Sequence, residues 1–374
     1  MTTHDGRHPE RAGSHALDLS AVGPEQMERV MARAMGDLGV LVNAPLKVLG
    51  RRLGLWRALT GSGPSSPAAV AARTGLVERY VREWLFSQAA SGWLTYDEAD
   101  DTFTLDDASA AVIAAEDSPA YMGLLTSDGV ATTFFNELDR LERVFREGGG
   151  FGWGDHAPAF LDEQAAFTRP FYEQFLTSVW IPSLDGVADR LAGGARVADI
   201  GCGYGISAIL IGQAFPHARV TGFDPDDHSI AQARKAAAEA DVTDRVSFEV
   251  AEATQVTGRY DLISVTDALH DMGDPVGAIR HARSLLHDGG TVMVIDVGVT
   301  GRFSEDLANP YTPVGYAIST QVCLPSSLGQ DGAAGLGTMA GVGRIVEVLH
   351  EAGFTNVRRV AEATPLVAVI EART

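Results

Sequence analysis

The chain has 374 residues, of which 45% are hydrophobic, and its 49 acidic and 29 basic residues give a formal net charge of −20. Such a length allows two domains with sizeable cores. The negative charge disfavours nucleic acid and anionic membranes as partners, because both repel an acidic surface. Cys202 and Cys323 are the two cysteines and show no disulfide pattern, so we expect a reducing compartment and a cytoplasmic protein.

The first 20 residues are polar and contain no apolar signal core, so residues 1–20 are predicted to be a disordered tail. The long uncharged stretch at 307–330 contains three prolines and many polar residues. That composition excludes a membrane-spanning helix there.

Residues 21–117 are predicted to form a winged helix-turn-helix. Met27 to Leu59 shows helical periodicity, and Pro45 predicts a break or a kink, which favours two helices over one. Ser66 and Pro67 are typical of a helix start and Gly75 of a helix end, and a second helix is expected at about 77–91. Two short strands at 93–96 and 102–105 complete the wing.

This domain could bind DNA or a second copy of the chain. Arg79 and Arg82 lie on the expected recognition helix, but the wing tip at 97–101 carries four acids, which oppose phosphate contact. Apolar residues exceed what so small a module easily buries, which favours dimerisation over DNA binding; they include Trp56, Leu59, Trp84, Leu85 and Phe86.

Residues 118–190 are rich in aromatic residues and are predicted to be a helical cap or linker. Phe167, Phe171, Phe175 and Val179 recur every four residues, as on one helix face. Two interpretations stay open, ordinary core packing and the wall of an apolar substrate pocket. Under the second, the substrate-binding residues are Trp153, Phe171, Tyr172 and Phe175, and the loop 148–156 is a mobile rim.

Residues 191–374 alternate strands with helices, which predicts a doubly wound parallel sheet. The first strand is expected to end at Ile200. Four more strands are expected at 219–223, 246–250, 260–265 and 291–296, the last following a turn at 288–290. The carboxyl ends of the first four then meet at one crevice, where ligands bind in such sheets.

The first turn of this sheet indicates a nucleoside site. Gly201, Gly203 and Gly205 follow the first strand, and Asp224 ends the second, where an acid can grip a ribose. A dinucleotide site needs a small residue where this chain has Ile206. The turn therefore favours a ligand without phosphates.

This run, Val197 to Gly205 with Phe223-Asp224, resembles motif I of class I S-adenosylmethionine (SAM) methyltransferases. The resemblance implies SAM as cofactor and a seven-stranded Rossmann-like sheet that ends in an antiparallel hairpin at about 357–360 and 366–370. It also implies the residues that contact the cofactor, namely Asp199, Gly201, Gly203, Gly205, Asp224, Pro225, Glu252, Ala253 and Asp267.

The run Leu269-His270-Asp271-Met272-Gly273-Asp274-Pro275 follows the fourth strand. It resembles small-molecule O-methyltransferases with a winged-helix dimerisation half, and most closely an actinobacterial group that shares "LHDMGDP". The resemblance implies a homodimer and His270 as general base, oriented by Asp296 or Asp271. Those relatives usually have Trp two residues after the histidine, where this chain has Met272.

The expected function is methylation of a small aromatic metabolite on oxygen, in secondary metabolism. Alternatives are N- or C-methylation, a SAM-binding transcription regulator, a SAM enzyme that transfers no methyl group, and a purely structural His270. The acids near His270 form no clear metal cluster, so no metal is expected. The insertion at 301–343 is expected to pack on a dimer partner or to line the substrate side through Tyr311, Tyr316, Gln321 and Leu324.

Overall fold

The computed structural model describes residues 19–364 and 367–374. The tail expected at 1–20 thus lies almost entirely outside the described residues, and Leu19–Ala21 forms a short 3-10 turn.

The described chain begins with a long helix, α1 (Pro24–Arg52), and a short one, α2 (Leu55–Leu59). The expected break at Pro45 is wrong, because Pro45 lies inside α1 and the chain turns at Gly54, where φ is +69°. Pro45 removes the amide that would donate to the carbonyl of Leu41. Leu41 is exposed, so water can replace that donor and the helix continues.

A winged helix-turn-helix follows as expected. Its elements are α3 (Pro67–Thr74), α4 (Glu78–Ala90) and the antiparallel hairpin β1 (Thr95–Asp97) and β2 (Thr102–Thr104). The Ser66 hydroxyl accepts the amide of Ala69 at 3.3 Å and caps α3, and Gly75 ends it at φ +70°.

The exposed apolar residues of this domain are mostly not the ones that we expected. Trp56, Leu59, Trp84 and Leu85 are at most 5% exposed within one chain, whereas Phe86 is 39% exposed. The first four therefore need no partner. Residues 24–42 of α1 are instead exposed on every side. Their apolar side chains include Met31, Met35, Leu38 and Val42.

The middle segment is helical. It contains α5 (Asp107–Ile113), α6 (Asp128–Asn136), α7 (Leu138–Glu147), α8 (Pro158–Phe175), α9 (Ile181–Ser183) and α10 (Val187–Ala192). A π-helical turn, Leu176–Trp180, follows α8 and interrupts the predicted four-residue face. Because a π turn is wider than an α turn, Val179 is rotated outward and is 39% exposed.

The C-terminal half forms a seven-stranded sheet in the order β5-β4-β3-β6-β7-β9-β8 among the described residues. The strands are β3 (Arg196–Ile200), β4 (Arg219–Asp224), β5 (Val246–Val250), β6 (Tyr260–Thr266), β7 (Leu286–Val297), β8 (Asn356–Thr364) and β9 (Val367–Arg373). The first five are parallel, and β9 runs antiparallel to both β7 and β8. Leu366, where the last strand was expected to begin, lies outside the described residues.

Strand β7 starts earlier than expected. Its pairing with β6 runs from Tyr260↔Leu286 directly to Leu262↔Thr291, so the turn expected at 288–290 is a bulge within the strand. Gly289 permits this bulge with φ +73°.

Helices cover both faces of the sheet, and neighbouring strand residues alternate between them. Val197 faces a core with α11 (Ile206–Ala214), α12 (Asp227–Glu239) and the segment 176–191. Ala198 faces the core on the other side, with α13 (Pro275–Ser284) and α17 (Gly341–Glu351). The order reverses between β3 and β6, and ligands bind at such a switch point.

The insertion before α17 is folded. It contains α14 (Phe303–Asp306), α15 (Thr312–Ile318), a π-helical turn (Ser319–Cys323) and α16 (Leu324–Leu328). Its π turn packs against α8, where Phe160 and Leu161 meet Val322 and Cys323. Cap and insertion therefore close over the carboxyl ends of the strands. Across the described part of the chain, no helix combines the length and the apolarity needed to cross a membrane.

Candidate active site

The turn after β3 places its glycines in the left-handed region. The φ angles are +72° at Gly201, +51° at Gly203 and +76° at Gly205, values that glycine adopts without strain. A side chain at Gly203 would project into open space, whereas one at Gly205 would lie 2.5 Å from the Phe248 ring. Gly201 and Gly203 accordingly line a cavity, and Gly205 lies beneath it.

Asp199 supports this turn from below and does not line the cavity. Its carboxylate accepts hydrogen bonds from the hydroxyls of Ser207 and Ser264, the latter at 2.6 Å. It is fully buried, and burial raises the pKa of this carboxyl. Asp199 thus joins β3, β6 and the start of α11 in one arrangement.

Asp224 ends β4 and does line the cavity. Its carboxylate accepts the amides of Gly203 at 2.9 Å and Asp226 at 3.0 Å, which fixes its orientation. Burial raises the pKa of Asp224 to about 6. Pro225 follows it along the same wall.

The ends of β5 and β6 complete this wall. Glu252 and Ala253 follow β5, and Asp267 follows β6; all three line the cavity. Asp267 has φ +53°, unusual outside glycine, and burial raises its pKa to about 7. The cofactor residues predicted from the sequence therefore share one wall, apart from Asp199 and Gly205.

His270 lies one turn beyond the end of β6 and is 3% exposed. Its Nδ1 is 2.8 Å from Oδ1 of Asp296, at the end of β7, and its Nε2 is 3.5 Å from Oδ1 of Asp271. Burial alone would lower the pKa of His270, but the two carboxylates outweigh it and raise that pKa well above 6.5. All three residues line the cavity.

The insertion holds the backbone around His270. Gln330 donates from its Nε2 to the carbonyl of Asp271 at 2.8 Å and accepts the amide of Gly273 at 3.1 Å. The Ser327 hydroxyl donates to the carbonyl of Met272 at 2.8 Å, and the amide of Gly337 donates to the carbonyl of His270 at 3.1 Å. Sequence reasoning missed these supports, since Gln330 and Ser327 lie more than 50 residues from the backbone they bind.

Cys323 lies beside the candidate base. Its Sγ is within 4.8 Å of a ring nitrogen of His270 and a carboxylate oxygen of Asp271. Burial raises the pKa of this thiol to about 12, so it is a neutral thiol at ordinary pH. The spacing of these three atoms would also suit a metal ion, and the expectation of a metal-free site stays a prediction.

The cavity measures about 1470 Å³. Single small-molecule sites usually measure about 300–1,000 Å³, so this one has room for a cofactor and a second molecule. The cap contributes Trp153, Phe171 and Tyr172 to its wall, and the insertion contributes Tyr311 and Gln321, as the sequence suggested.

Three expected wall residues are placed elsewhere. Phe175 stacks on the buried Trp180 with ring centroids 6.0 Å apart, behind the wall. Tyr316 packs edge-on against Phe303 at 5.6 Å, and Leu324 also lies outside the lining. The helical turns in the cap and insertion direct these side chains away from the cavity.

The residues present fit SAM. Asp224 offers a preoriented carboxylate to ribose hydroxyls, and Gly203 leaves the backbone uncovered beside it. A cationic sulfonium suits a cavity whose described lining contains acids and no lysine or arginine. Buried oxygens of Thr266, Asp271 and Asp296 also have no hydrogen-bond partner within the described chain. Such atoms are satisfied by a ligand or by water.

Comparisons with known proteins agree with this geometry. A family model described as a methyltransferase domain matches residues 191–333, and one described as an Rv2258c-like winged HTH domain matches residues 43–115. A 27-O-demethylrifamycin SV methyltransferase of Amycolatopsis mediterranei is 32% identical over 42% of this chain and 54% of its own length. A ubiquinone biosynthesis O-methyltransferase of Aeromonas salmonicida is 32% identical over 30% of this chain and 48% of its own. The chain thus matches about half the length of these relatives.

Solved structures show the same fold over nearly the whole chain. The mitomycin 7-O-methyltransferase MmcR has a TM-score of 0.68 and 19% identity, covering 94% of this chain and 100% of that one. Human N-acetylserotonin methyltransferase, solved with SAM, has a TM-score of 0.65 and 16% identity, covering 93% and 97%. The expected fold class and the SAM-type cofactor domain are therefore confirmed. Residues 191–333 thus match the methyltransferase domain family, and residues 43–115 match the Rv2258c-like winged helix-turn-helix domain family.

Proposed function

We propose that the protein is a SAM-dependent O-methyltransferase that acts on a small molecule, with His270 as the general base. The observation that carries this proposal is the buried His270–Asp296 pair, with Nδ1 and Oδ1 2.8 Å apart, at the edge of the SAM-type turn. The rifamycin and ubiquinone relatives are named as methyltransferases, the latter on oxygen, which supports the same reaction.

The chemistry requires an aligned hydroxyl and a place for its proton. SAM supplies a methyl group on a cationic sulfur that leaves as a neutral thioether. Nε2 of His270 accepts the hydroxyl proton, while the Nδ1–H donates to Asp296 and stabilises the imidazolium that results. Asp271, whose Oδ1 is 3.5 Å from Nε2, adds to this stabilisation.

The raised pKa of His270 has a consequence for the order of events. A protonated His270 cannot accept a proton, and the carboxylates of Asp296 and Asp271 raise its pKa in the free protein and so favour the protonated form. A cation placed nearby favours the neutral form of a histidine. We therefore infer that the sulfonium lowers the pKa of His270, so that the base becomes competent when the donor is bound.

For the remaining site residues we propose the roles expected from the sequence, restricted by their placement. Asp224, Pro225, Glu252, Ala253 and Asp267 would contact SAM directly with Gly201 and Gly203, and Asp199 and Gly205 would act as supports. Trp153, Phe171 and Tyr172 would contact the acceptor. Location in the cytoplasm and a role in secondary metabolism remain predictions.

We also propose a homodimer formed through α1. Its first 19 residues, 24–42, are exposed on every side, whereas most of the stability of a helix in a protein comes from packing of one of its faces. Exposed apolar residues on it, such as Met35 at 60% and Leu38 at 48%, would be covered by a second copy.

A DNA-binding role has weaker support. Arg82 on α4 is paired with Glu78 at 2.9 Å and with Asp101 of the wing at 2.8 Å, and Arg79 is paired with Glu83 at 2.6 Å. These arginines are engaged with acids of the domain itself rather than free for phosphate.

Transfer of labelled methyl from SAM to a panel of phenols, amines and carbon acids tests the proposal. We expect transfer to a phenol, lowered about 10²–10⁴-fold in kcat by His270→Asn with the Kd for SAM retained. His287→Asn is the matched control, because His287 also pairs with an aspartate, Asp261, at 3.0 Å but lies outside the cavity. Transfer that survives His270→Asn, or goes only to amines or carbon, would contradict the proposal.

A further inference from the structure

The walls of the cavity carry mainly negative charge. Acidic residues border it from the cofactor side to the insertion, among them Asp224, Glu252, Asp267, Asp271, Asp296 and Asp331. Within the part of the chain that the structure describes, no lysine or arginine borders it. Bound SAM brings one net positive charge, fewer than the acids around it. The negative charge that remains opposes the binding of an anionic acceptor.

Two of these acids stand where the acceptor must react. Asp296 and Asp271 flank the His270 ring, at 2.8 Å from Nδ1 and 3.5 Å from Nε2. Each has one buried oxygen without a hydrogen-bond partner among the described residues. Like charges brought together in a buried site cost free energy, and His270, which can become a cation on the described walls, is already paired with these two carboxylates.

The part of the cavity away from the cofactor is apolar. The cap lines it with Leu124, Phe134, Phe167 and Phe171, and the insertion lines it with Val314 and Ile318. A polar or charged substituent placed here would lose its water without gaining a partner. The total volume of about 1470 Å³ exceeds what one small ligand usually needs, so this apolar part suits a compound of more than one ring.

We propose that the acceptor is an uncharged, hydroxyl-bearing compound of two or more fused rings or comparable apolar bulk, and that the acidic walls exclude carboxylated and phosphorylated acceptors. This inference rests on the proposed function. In the reaction the acceptor oxygen forms a bond to the methyl carbon, the carbon–sulfur bond breaks with its electron pair left on sulfur, and the hydroxyl proton passes to Nε2 of His270. The acceptor can therefore enter the site with its hydroxyl protonated and carry no negative charge before it reacts.

Equilibrium binding tests this without depending on turnover. The probes are 6-hydroxy-2-naphthamide and 6-hydroxy-2-naphthoic acid, which share shape and hydroxyl and differ in charge at pH 7.5. Each is titrated by calorimetry into the full chain saturated with S-adenosylhomocysteine. We expect the amide to bind about 30- to 100-fold more tightly than the acid, from the like-charge repulsion.

A charge change in the wall gives the matched control. Gln321 lines the cavity from the insertion, and its Nε2 donates to the carbonyl of Ala317 at 3.1 Å, four residues earlier in the chain. Gln321→Arg should reduce the ratio of amide affinity to acid affinity at least about fivefold, whereas the neutral Gln321→Met should leave that ratio unchanged. The arginine adds one positive charge to the described wall, which favours binding of the acid over the amide.

Equal or tighter binding of the acid overturns the inference, as does the failure of the amide to bind at millimolar concentration. A gap that Gln321→Arg and Gln321→Met change equally would also overturn it, because charge would not be its cause. Preferential binding of the amide without methyl transfer in the labelled-SAM assay would keep this inference and reject His270 catalysis, so the two failures are distinguishable.

Discussion

Replacing Asp296 by asparagine should slow methyl transfer and shift its pH dependence together. The amide keeps the shape of the side chain at the end of β7 and removes the charge that His270 Nδ1 meets at 2.8 Å. Losing a buried charge-assisted hydrogen bond costs about 1.5–3 kcal/mol. If that bond is strongest in the transition state, kcat falls about 10- to 150-fold.

The pH profile carries the sharper signature. Burial lowers the pKa of His270, and the carboxylates of Asp296 and Asp271 raise it to a net position well above 6.5. A base must be unprotonated, so the wild-type kcat should rise as pH rises through the pKa that His270 has with SAM bound, which lies below its pKa in the free protein. Removing the Asp296 charge lowers the pKa of His270, and the rising limb of Asp296→Asn should move to lower pH although its plateau is lower.

The same pair predicts a stability effect of defined sign. Because the pKa of His270 is raised in the folded protein, the pair stabilises the fold fully below about pH 6.5, the usual pKa of an unfolded histidine. That contribution is lost as pH rises through the folded-state pKa. Asp296→Asn should therefore lower the free energy of unfolding most near pH 6 and least in alkali.

The assay is kcat at saturating SAM from pH 5.5 to 10, with Asp261→Asn as control. Asp261 meets Nδ1 of His287 at 3.0 Å in a partly exposed pair outside the cavity. An unmoved limb in Asp296→Asn, or the same kcat loss in Asp261→Asn, would refute the assignment of Asp296 as the partner that tunes the base.

Further predictions concern cofactor, support and assembly. Asp224→Asn should weaken SAM binding about 10- to 100-fold by calorimetry. Because the pKa of Asp224 is about 6, the affinity of the wild type for SAM should also fall as pH drops below 6. The asparagine variant should lose the part of this pH dependence that protonation of Asp224 causes. Gln330→Ala removes both contacts to the backbone beside His270 and should lower kcat about tenfold with little change in the Kd for SAM; an equal loss of both would make Gln330 a general support. Met35→Glu on α1 should yield monomers in sedimentation, whereas Phe145→Glu, at a site 71% exposed on α7, should not; dimers in both would place the interface elsewhere.

The parts of the site that follow directly on strand ends could be predicted from the sequence. Gly203, Asp224 and His270 stand within a few residues of β3, β4 and β6, and the parallel sheet brings such positions to one edge. Asp296 meets His270 for the same reason, since β7 lies beside β6. These placements depend on local sequence patterns, so they can be predicted without knowing how distant parts of the chain pack.

Contacts made by the insertion could not be predicted in this way. Cys323, Ser327 and Gln330 reach the His270 segment through a helix broken by a π turn, and no local pattern indicates where that helix docks. The π turn after α8 likewise rotates Val179 outward to 39% exposure, although its spacing matches Phe171 and Phe175. Small changes in helical pitch redirect side chains that periodicity places on one face.

The central claim is that this site moves a methyl group from SAM to an oxygen. The most direct test is carbon NMR of the product formed with ¹³C-methyl SAM and a neutral hydroxynaphthalene acceptor, using the wild-type chain and His270→Asn. The account predicts one O-methyl resonance that grows with the wild type and grows far more slowly with the variant. An N-methyl or C-methyl resonance, obtained with an acceptor that offers nitrogen or carbon as well as oxygen, would contradict the account. An O-methyl signal that grows at the same rate with His270→Asn as with the wild type would also contradict it.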